Sequence, residues 1–309
     1  MPLPTLTDFV ALLPLLGLGL LVYTGALVFG TAWSLTHPPR HTAGRAIARG
    51  RPTTPAEMEP PRAFASSTVR VRGHDCPAWT IEGRRPVGPV AILTPGWGDS
   101  RLGGLERIEP LEPLCRRILL WDSPGMGEAP GTCSLGAREA GEIIEVAEQT
   151  TRGEPVLLVG WSMGAGAAIE AAAITRDVEV IGVVAEAPYR EPQTPAKAVL
   201  RARSLPVLVN LRAALAFVGL LSGAGPFWRR FNRARLAERV RVPLLVLHGG
   251  QDPISPLADG RAIAGAAPLG ELAVIDEGAH NDLWSPPHRG ASIAAVSAFV
   301  DRLADSGGG

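Results

Sequence analysis

Ser162 lies in Gly160-Trp161-Ser162-Met163-Gly164, a G-x-S-x-G pentapeptide. Two further reactive groups follow it along the chain: Asp252 in His248-Gly249-Gly250-Gln251-Asp252, then His280 in Gly278-Ala279-His280. Serine, carboxylate and imidazole are the parts of a nucleophilic acyl-transfer site. A serine hydroxyl attacks poorly until an imidazole takes its proton. A carboxylate on the other ring nitrogen then fixes the tautomer and stabilises the imidazolium. In that division Ser162 is the nucleophile, His280 the general base and later the acid, and Asp252 the carboxylate behind it. Such a pentapeptide also occurs as a glycine-rich turn with an incidental serine, so its surroundings decide.

Those surroundings are a strand, a turn and a helix, the context the motif requires. Residues 156–159 form a short aliphatic run, apolar on both faces, which marks a buried strand of a parallel sheet. Residues 165–174 are alanine-rich and predict a helix. Its first N–H groups and the positive end of its dipole would face charge developing beside Ser162, which makes the Met163 N–H one expected oxyanion donor. The Trp97 N–H is the second. It follows the apolar run 90–94 in Pro95-Gly96-Trp97-Gly98-Asp99-Ser100, where small residues expose backbone donors. A glycine turn without function is the alternative for that loop.

The same alternation continues on either side. Residues 68–72 and 78–82 predict antiparallel edge strands around a Gly73-His74-Asp75 turn. Further strands are expected at 117–121, 180–185, 243–247 and 271–275. Asp252 and His280 follow the last two, and strand ends of a parallel sheet share one edge, so distant residues converge there. Glu186, ending the 180–185 run, is an alternative acid. Residues 105–115 would hold a crossover helix, although Pro110 and Pro113 oppose it. Ser134 would cap a helix over 135–149, with Glu139, Glu142, Glu145 and Glu148 on a solvated face.

Residues 189–241 interrupt the pattern and predict a helical cap, with helices near 196–203, 205–219 and 227–240. This insertion carries eleven Arg and Lys against only Glu191 and Glu238. With its apolar stretch 205–221, it suits a lid that leans on an anionic membrane or lines an acyl pocket. Ordinary packing of an amphipathic helix beneath a basic surface is the alternative.

Composition narrows the function classes. The 309 residues suit one large α/β domain with appendages, and formal charge balances at zero, so nothing global points to nucleic acid. Cys76, Cys115 and Cys133 are too few and too scattered for a disulfide framework or a metal site, and read as small buried thiols. His37, His41, His74, His248 and His288 lack partners at ligand spacing, so no metal is expected.

Residues 9–35 contain no charge, and as a helix they would run about 40 Å, enough to cross a bilayer core of about 30 Å. A cleaved signal peptide would carry a basic start and a shorter apolar core. The first eight residues hold no Lys or Arg, which favours an anchor. Arg40, Arg45, Arg49 and Arg51 follow the apolar run, so the positive-inside bias expects a single-pass protein with its catalytic domain in the cytoplasm. The expected organisation is an anchor over 1–36, a Pro/Arg-rich juxtamembrane tether over 37–67, a hydrolase core over 68–188 and 242–306, and the cap over 189–241.

Residues 68–305 resemble the α/β-hydrolase superfamily. The likeness rests on Gly-Trp-Ser-Met-Gly at 160–164, Pro-Gly-Trp-Gly at 95–98, His-Gly-Gly-Gln-Asp at 248–252 and Gly-Ala-His at 278–280. With the N-terminal span, the layout is similar to membrane-anchored serine hydrolases of the ABHD type. The resemblance implies an eight-stranded, mostly parallel sheet flanked by helices, a Ser162–Asp252–His280 triad, and oxyanion donors at Trp97 and Met163. One departure is that Thr94-Pro95-Gly96 stands where the family usually has His-Gly before the oxyanion turn. The function expected is cofactor-free cleavage of carboxylic ester or thioester bonds through an acyl-serine, on small, lipid-like or protein-borne acyl groups. Acyl transfer to an alcohol or perhydrolase chemistry would use the same triad. A non-catalytic, membrane-tethered binding module is the alternative outside enzymology.

Overall fold

A computed structural model describes residues 6–202 and 210–306. Eight strands form one sheet: β1 (Phe64–Val71), β2 (His74–Glu82), β3 (Val90–Thr94), β4 (Arg117–Trp121), β5 (Val156–Trp161), β6 (Val180–Glu186), β7 (Leu244–Gly249) and β8 (Gly270–Ile275). Their order is β1-β2-β4-β3-β5-β6-β7-β8. The first two pairings, β1 with β2 and β2 with β4, are antiparallel, and all later ones are parallel. Every residue of β3, β5 and β7 is buried, as aliphatic runs covered on both faces should be.

Among the described residues ten α-helices accompany the sheet: α1 (Leu6–Thr36), α2 (Ala43–Ile47), α3 (Arg101–Gly104), α4 (Glu139–Thr151), α5 (Met163–Ile174), α6 (Gln193–Ala202), α7 (Leu211–Ser222), α8 (Arg233–Ala237), α9 (Leu257–Ala266) and α10 (Arg289–Ser306). Two apolar cores lie on the two faces of the sheet. One joins α4, α5, α8 and α9. The other joins α10, through Val296, Phe299, Val300 and Leu303, to β3, β4 and β5. A third cluster packs the cap helices α6 and α7 against Ala32 and Leu35 of α1.

Several local expectations shift. The first hairpin turns at Arg72-Gly73, both at positive φ (50° and 79°), so His74 and Asp75 belong to β2 and pair with Val71 and Arg70. The crossover helix expected over 105–115 is reduced to α3 and one 3-10 turn, Leu105–Arg107, because Pro110 and Pro113 cannot supply helix donors. Helix α4 begins at Glu139 rather than 135, since Leu135 and Gly136 adopt positive φ (60° and 94°). Glu139 and Glu142 are buried rather than solvated. Glu139 accepts hydrogen bonds from the Ser134 and Gly136 N–H groups at 2.8 and 2.9 Å, capping the loop before its own helix.

The cap's second helix is α7; the start expected at Leu205 lies outside the described residues. Core carboxylates offset part of the cap's positive charge. Arg190 pairs with Asp259 at 2.7 Å. Arg233 is 1% exposed, pairs with Glu170 and donates to the Gly136 carbonyl.

Helix α1 is, by length and composition, long and apolar enough over Leu12–Thr36 to cross a membrane. Leu15, Leu16, Leu20, Leu21 and Tyr23 are all more than half exposed, whereas Thr31, Ala32 and Leu35 are buried against the domain. The proline-rich stretch after it is fastened to the core. The His41 N–H donates to the Gly98 carbonyl at 3.1 Å, Arg40 reaches the Ala129 carbonyl at 2.9 Å, and Ala46 is buried. Arg51 pairs with Glu106 at 2.8 Å and Arg62 with Glu112 at 3.1 Å.

Candidate active site

The turn from β5 into α5 holds Ser162 at φ 54° and ψ −115°, a conformation that costs energy for any residue with a Cβ. Its neighbours enforce it. The Ser162 N–H donates to the Glu186 carbonyl on β6 at 2.8 Å. A Cβ on Gly160 would stand 2.3 Å from the Gly164 carbonyl oxygen, and one on Gly164 would stand 2.2 Å from that of Thr94. Both motif glycines are therefore required by backbone approach, which lets α5 start directly beneath the serine.

Asp252 follows β7 and His280 follows β8, at the same sheet edge as Ser162. His280 Nε2 lies 2.9 Å from Ser162 Oγ, and His280 Nδ1 lies 2.6 Å from Asp252 Oδ2. The second oxygen, Asp252 Oδ1, accepts the N–H groups of Ile254 and Ser255, each at 2.8 Å. The Asp252 side chain is fully buried and that of His280 nearly so. With both carboxylate oxygens engaged, the imidazole plane is fixed facing the hydroxyl. The structure thus brings all three sequence-selected side chains together. Glu186, the alternative acid, is bonded elsewhere.

Met163 opens α5, and an N–H in a first helical turn has no partner within its own helix. The loop carrying Trp97 reaches the same place: a Cβ on Gly96 would sit 3.1 Å from Ser162 Cβ. Trp97 and Met163 both border the cavity that Ser162 faces. The Trp97 indole N–H donates to the Leu35 carbonyl at 2.7 Å, tying this loop to the end of α1.

Two further groups shape the site and were not selected from the sequence. Asp99 accepts from His41 Nδ1 and Trp161 Nε1, each at 2.7 Å, and from the Ser100 N–H at 2.9 Å. Burial pushes its carboxyl up, but the His41 hydrogen bond, the Arg107 charge and the Trp161 N–H together hold it below the usual carboxylate range. Arg107 makes a two-pronged contact with Glu186 at 2.8 and 2.6 Å, and Trp284 Nε1 donates to the same carboxylate at 2.7 Å. The guanidinium lies 4.3 Å from the Trp161 ring centroid. Nothing in the local sequence announces these contacts: Arg107 and Glu186 stand 79 residues apart, His41 and Asp99 58.

These elements enclose a cavity of about 470 Å³ with Ser162 and His280 in its wall. Leu35, Leu135, Tyr189, Ala196 and Val199 give it an apolar side drawn from α1, the core and the cap. Residues 41–51 give it a basic side. The three cysteines lie outside this wall, buried and free. Burial pushes the Cys76 and Cys115 thiols up to about 12.

A model of the alpha/beta hydrolase family matches residues 91–296, two-thirds of the chain, and the chain belongs to that family. It is 29% identical over 259 residues to the biotin biosynthesis bifunctional protein BioHC of Cellvibrio japonicus, covering 70% of this chain. The match takes in 48% of that protein, so the chain spans about half the length of the curated relative it matches. Among solved structures, an esterase of Pyrococcus furiosus superposes with a TM-score of 0.64 at 18% identity, covering 87% of this chain and 98% of that one. The esterase RhEst1 of a Rhodococcus species gives 0.58 at 18% identity, covering 78% and 99%. Alpha/beta hydrolase domain-containing protein 10 from mouse gives 0.55 at 18%, covering 79% and 99%. At such identities these structures share the fold.

Proposed function

We propose that the chain is a membrane-anchored serine hydrolase that cleaves carboxylic ester or thioester bonds, on lipid or acylated-protein substrates, through an acyl-Ser162 intermediate. The observation that carries this reading is the continuous pair of contacts from Ser162 Oγ through His280 to Asp252, 2.9 and 2.6 Å long. In the first half-reaction Ser162 Oγ bonds to the carbonyl carbon as its proton passes to His280 Nε2. The resulting oxyanion is met by the backbone donors of Trp97 and Met163, and its collapse expels the alcohol or thiol, which takes the proton from His280. A water then repeats the sequence on the acyl-serine and frees the acid.

The anchor reading rests on the exposed apolar length of α1 and the cytoplasmic orientation on the arginines that follow it. Exposed Leu220, Leu221 and Phe227, beside Arg229 and Arg230, support contact of the cap with an anionic bilayer. Fluorophosphonate labelling tests the enzyme class. Wild type should be labelled and Ser162→Ala should not; equal labelling of both would remove the proposal. A reporter fused after residue 309 should be active on the cytoplasmic side, and activity on the far side would reverse the orientation.

A further inference from the structure

The charges around the cavity do not cancel. Arg107 is matched by Glu186 and Arg51 by Glu106. Asp99 is matched by hydrogen bonds from His41 and Trp161. Arg45 and Arg49 also border the cavity, and neither has an acidic partner within ion-pair distance among the described residues. His41, on the same stretch, is spent on the loop that carries Trp97. Its Nδ1 is committed to Asp99, while its buried Nε2 has no hydrogen-bond partner among the described residues. Arg45 and Arg49, both exposed, thus border the same cavity as Ser162.

Both come from residues 45–49, shortly after α1, whose last turn contributes Leu35 to the same wall. The basic side of the cavity therefore follows closely on the apolar helix in sequence. Guanidinium forks match phosphate oxygens in shape and charge. A neutral alcohol would leave both to solvent.

We propose that Arg45 and Arg49 form a phosphate site, and that the substrate is an acyl ester whose alcohol carries a phosphate, its acyl chain lying along Leu35, Leu135, Ala196 and Val199. This rests on the serine-hydrolase reading for its chemistry, whereas the phosphate site stands on its own geometry. The bond broken is the carboxylic ester. Water supplies the hydroxyl of the released acid and the proton of the phosphate-bearing alcohol.

The test uses the full chain in detergent micelles with 1-butyrylglycerol 3-phosphate and 1-butyrylglycerol as soluble probes. Wild type should favour the phosphate ester by about tenfold or more in kcat/KM, as loss of a charge-assisted contact to an anion implies. In Arg45→Ala/Arg49→Ala that preference should fall to near one, while Arg261→Ala, at an exposed position of α9, keeps it. Equal rates on both probes in wild type, or a preference that survives the double substitution, would overturn the phosphate site and leave the hydrolase reading intact. If neither probe is cleaved, calorimetry with glycerol 3-phosphate separates the two ideas. Binding weakened about tenfold in the double variant retains the site and rejects the hydrolase; absence of binding to wild type rejects the site. A parallel assay with 1-oleoylglycerol 3-phosphate in phosphatidylcholine vesicles assigns the source. Arginine-dependent cleavage stronger there than with the soluble probe means a membrane lipid, and the converse means a soluble phosphoester.

Discussion

The indole N–H of Trp97 donates to the main-chain carbonyl of Leu35 at 2.7 Å, so the loop bearing a proposed oxyanion donor hangs from the last turn of the long apolar helix. Around it, the Cys133 N–H donates to the Thr36 carbonyl at 3.1 Å, and Asn210 bonds to Thr31. Helix α1 therefore builds the site as well as carrying it. Replacing Trp97 with Phe keeps the ring and deletes the donor. A buried hydrogen bond of this kind is worth about 1 kcal/mol, so kcat/KM on p-nitrophenyl butyrate should fall about five- to tenfold with KM little changed. Unchanged kinetics in a folded W97F protein would mean that α1 does not position the loop.

Asp252→Asn probes the tautomer argument. Asp252 Oδ1 is held by two N–H groups, so an amide would turn its oxygen toward Ile254 and Ser255 and its NH₂ toward His280 Nδ1. The ring would then carry its proton on Nε2, the atom that must accept from Ser162. The expected loss in kcat is about 10⁴-fold with the fold and substrate binding retained. A loss below about tenfold would show that Asp252 does not set the state of the ring.

What was legible beforehand had a local signal. The aliphatic runs β3, β5 and β7 and the glycine-framed serine announce themselves within a few residues, and the order Ser162, Asp252, His280 fits their placement at strand ends. What was missed depends on distant contacts. Glu142 has the spacing of a surface residue on α4, yet β1 and its following turn cover it, with Arg72 reaching across 70 residues. His41 has no local partner and finds Asp99 only once residues 37–51 fold back over the loop that carries Trp97. Residues 37–67 look like a spacer because their prolines suppress periodicity, but proline does not prevent side chains from docking, and Phe64 already opens β1. Helices α9 and α10 show no clear stripe in the sequence because their apolar positions mingle with alanine and glycine.

Glu142 makes stability pH-dependent. Burial and then the nearby Glu139 carboxylate push its carboxyl from 4.5 up to about 8, despite the opposing pull of Arg72. The folded chain thus keeps a proton that the unfolded chain releases, and stability falls as pH rises from about 4.5 to about 8. Glu142→Gln cannot ionise. It should gain on the order of 2 kcal/mol over wild type at pH 8, or about 4–8 °C in Tm. The two proteins should converge near pH 5. Melting curves across that range check this, and parallel Tm profiles would show that Glu142 does not titrate in the window.

Arg107 and Glu186 form a buried pair behind Ser162, and the two roles of Glu186 can be separated. Its carboxylate receives Arg107 and Trp284, while its main-chain carbonyl holds the Ser162 N–H. Arg107→Met leaves a buried carboxylate with only the Trp284 donor, which should cost about 3–5 kcal/mol. Glu186→Gln alone leaves Arg107 short of a counter-charge and should also destabilise. The double variant removes both charges from the interior, and its loss should be smaller than the sum of the single losses by at least about 1 kcal/mol, because neither charge is then stranded. Denaturant melts of the four proteins measure that coupling. If instead the losses add, the pair is not an energetic unit, and the precise seating of β6 against Ser162 must come from the backbone hydrogen bond alone.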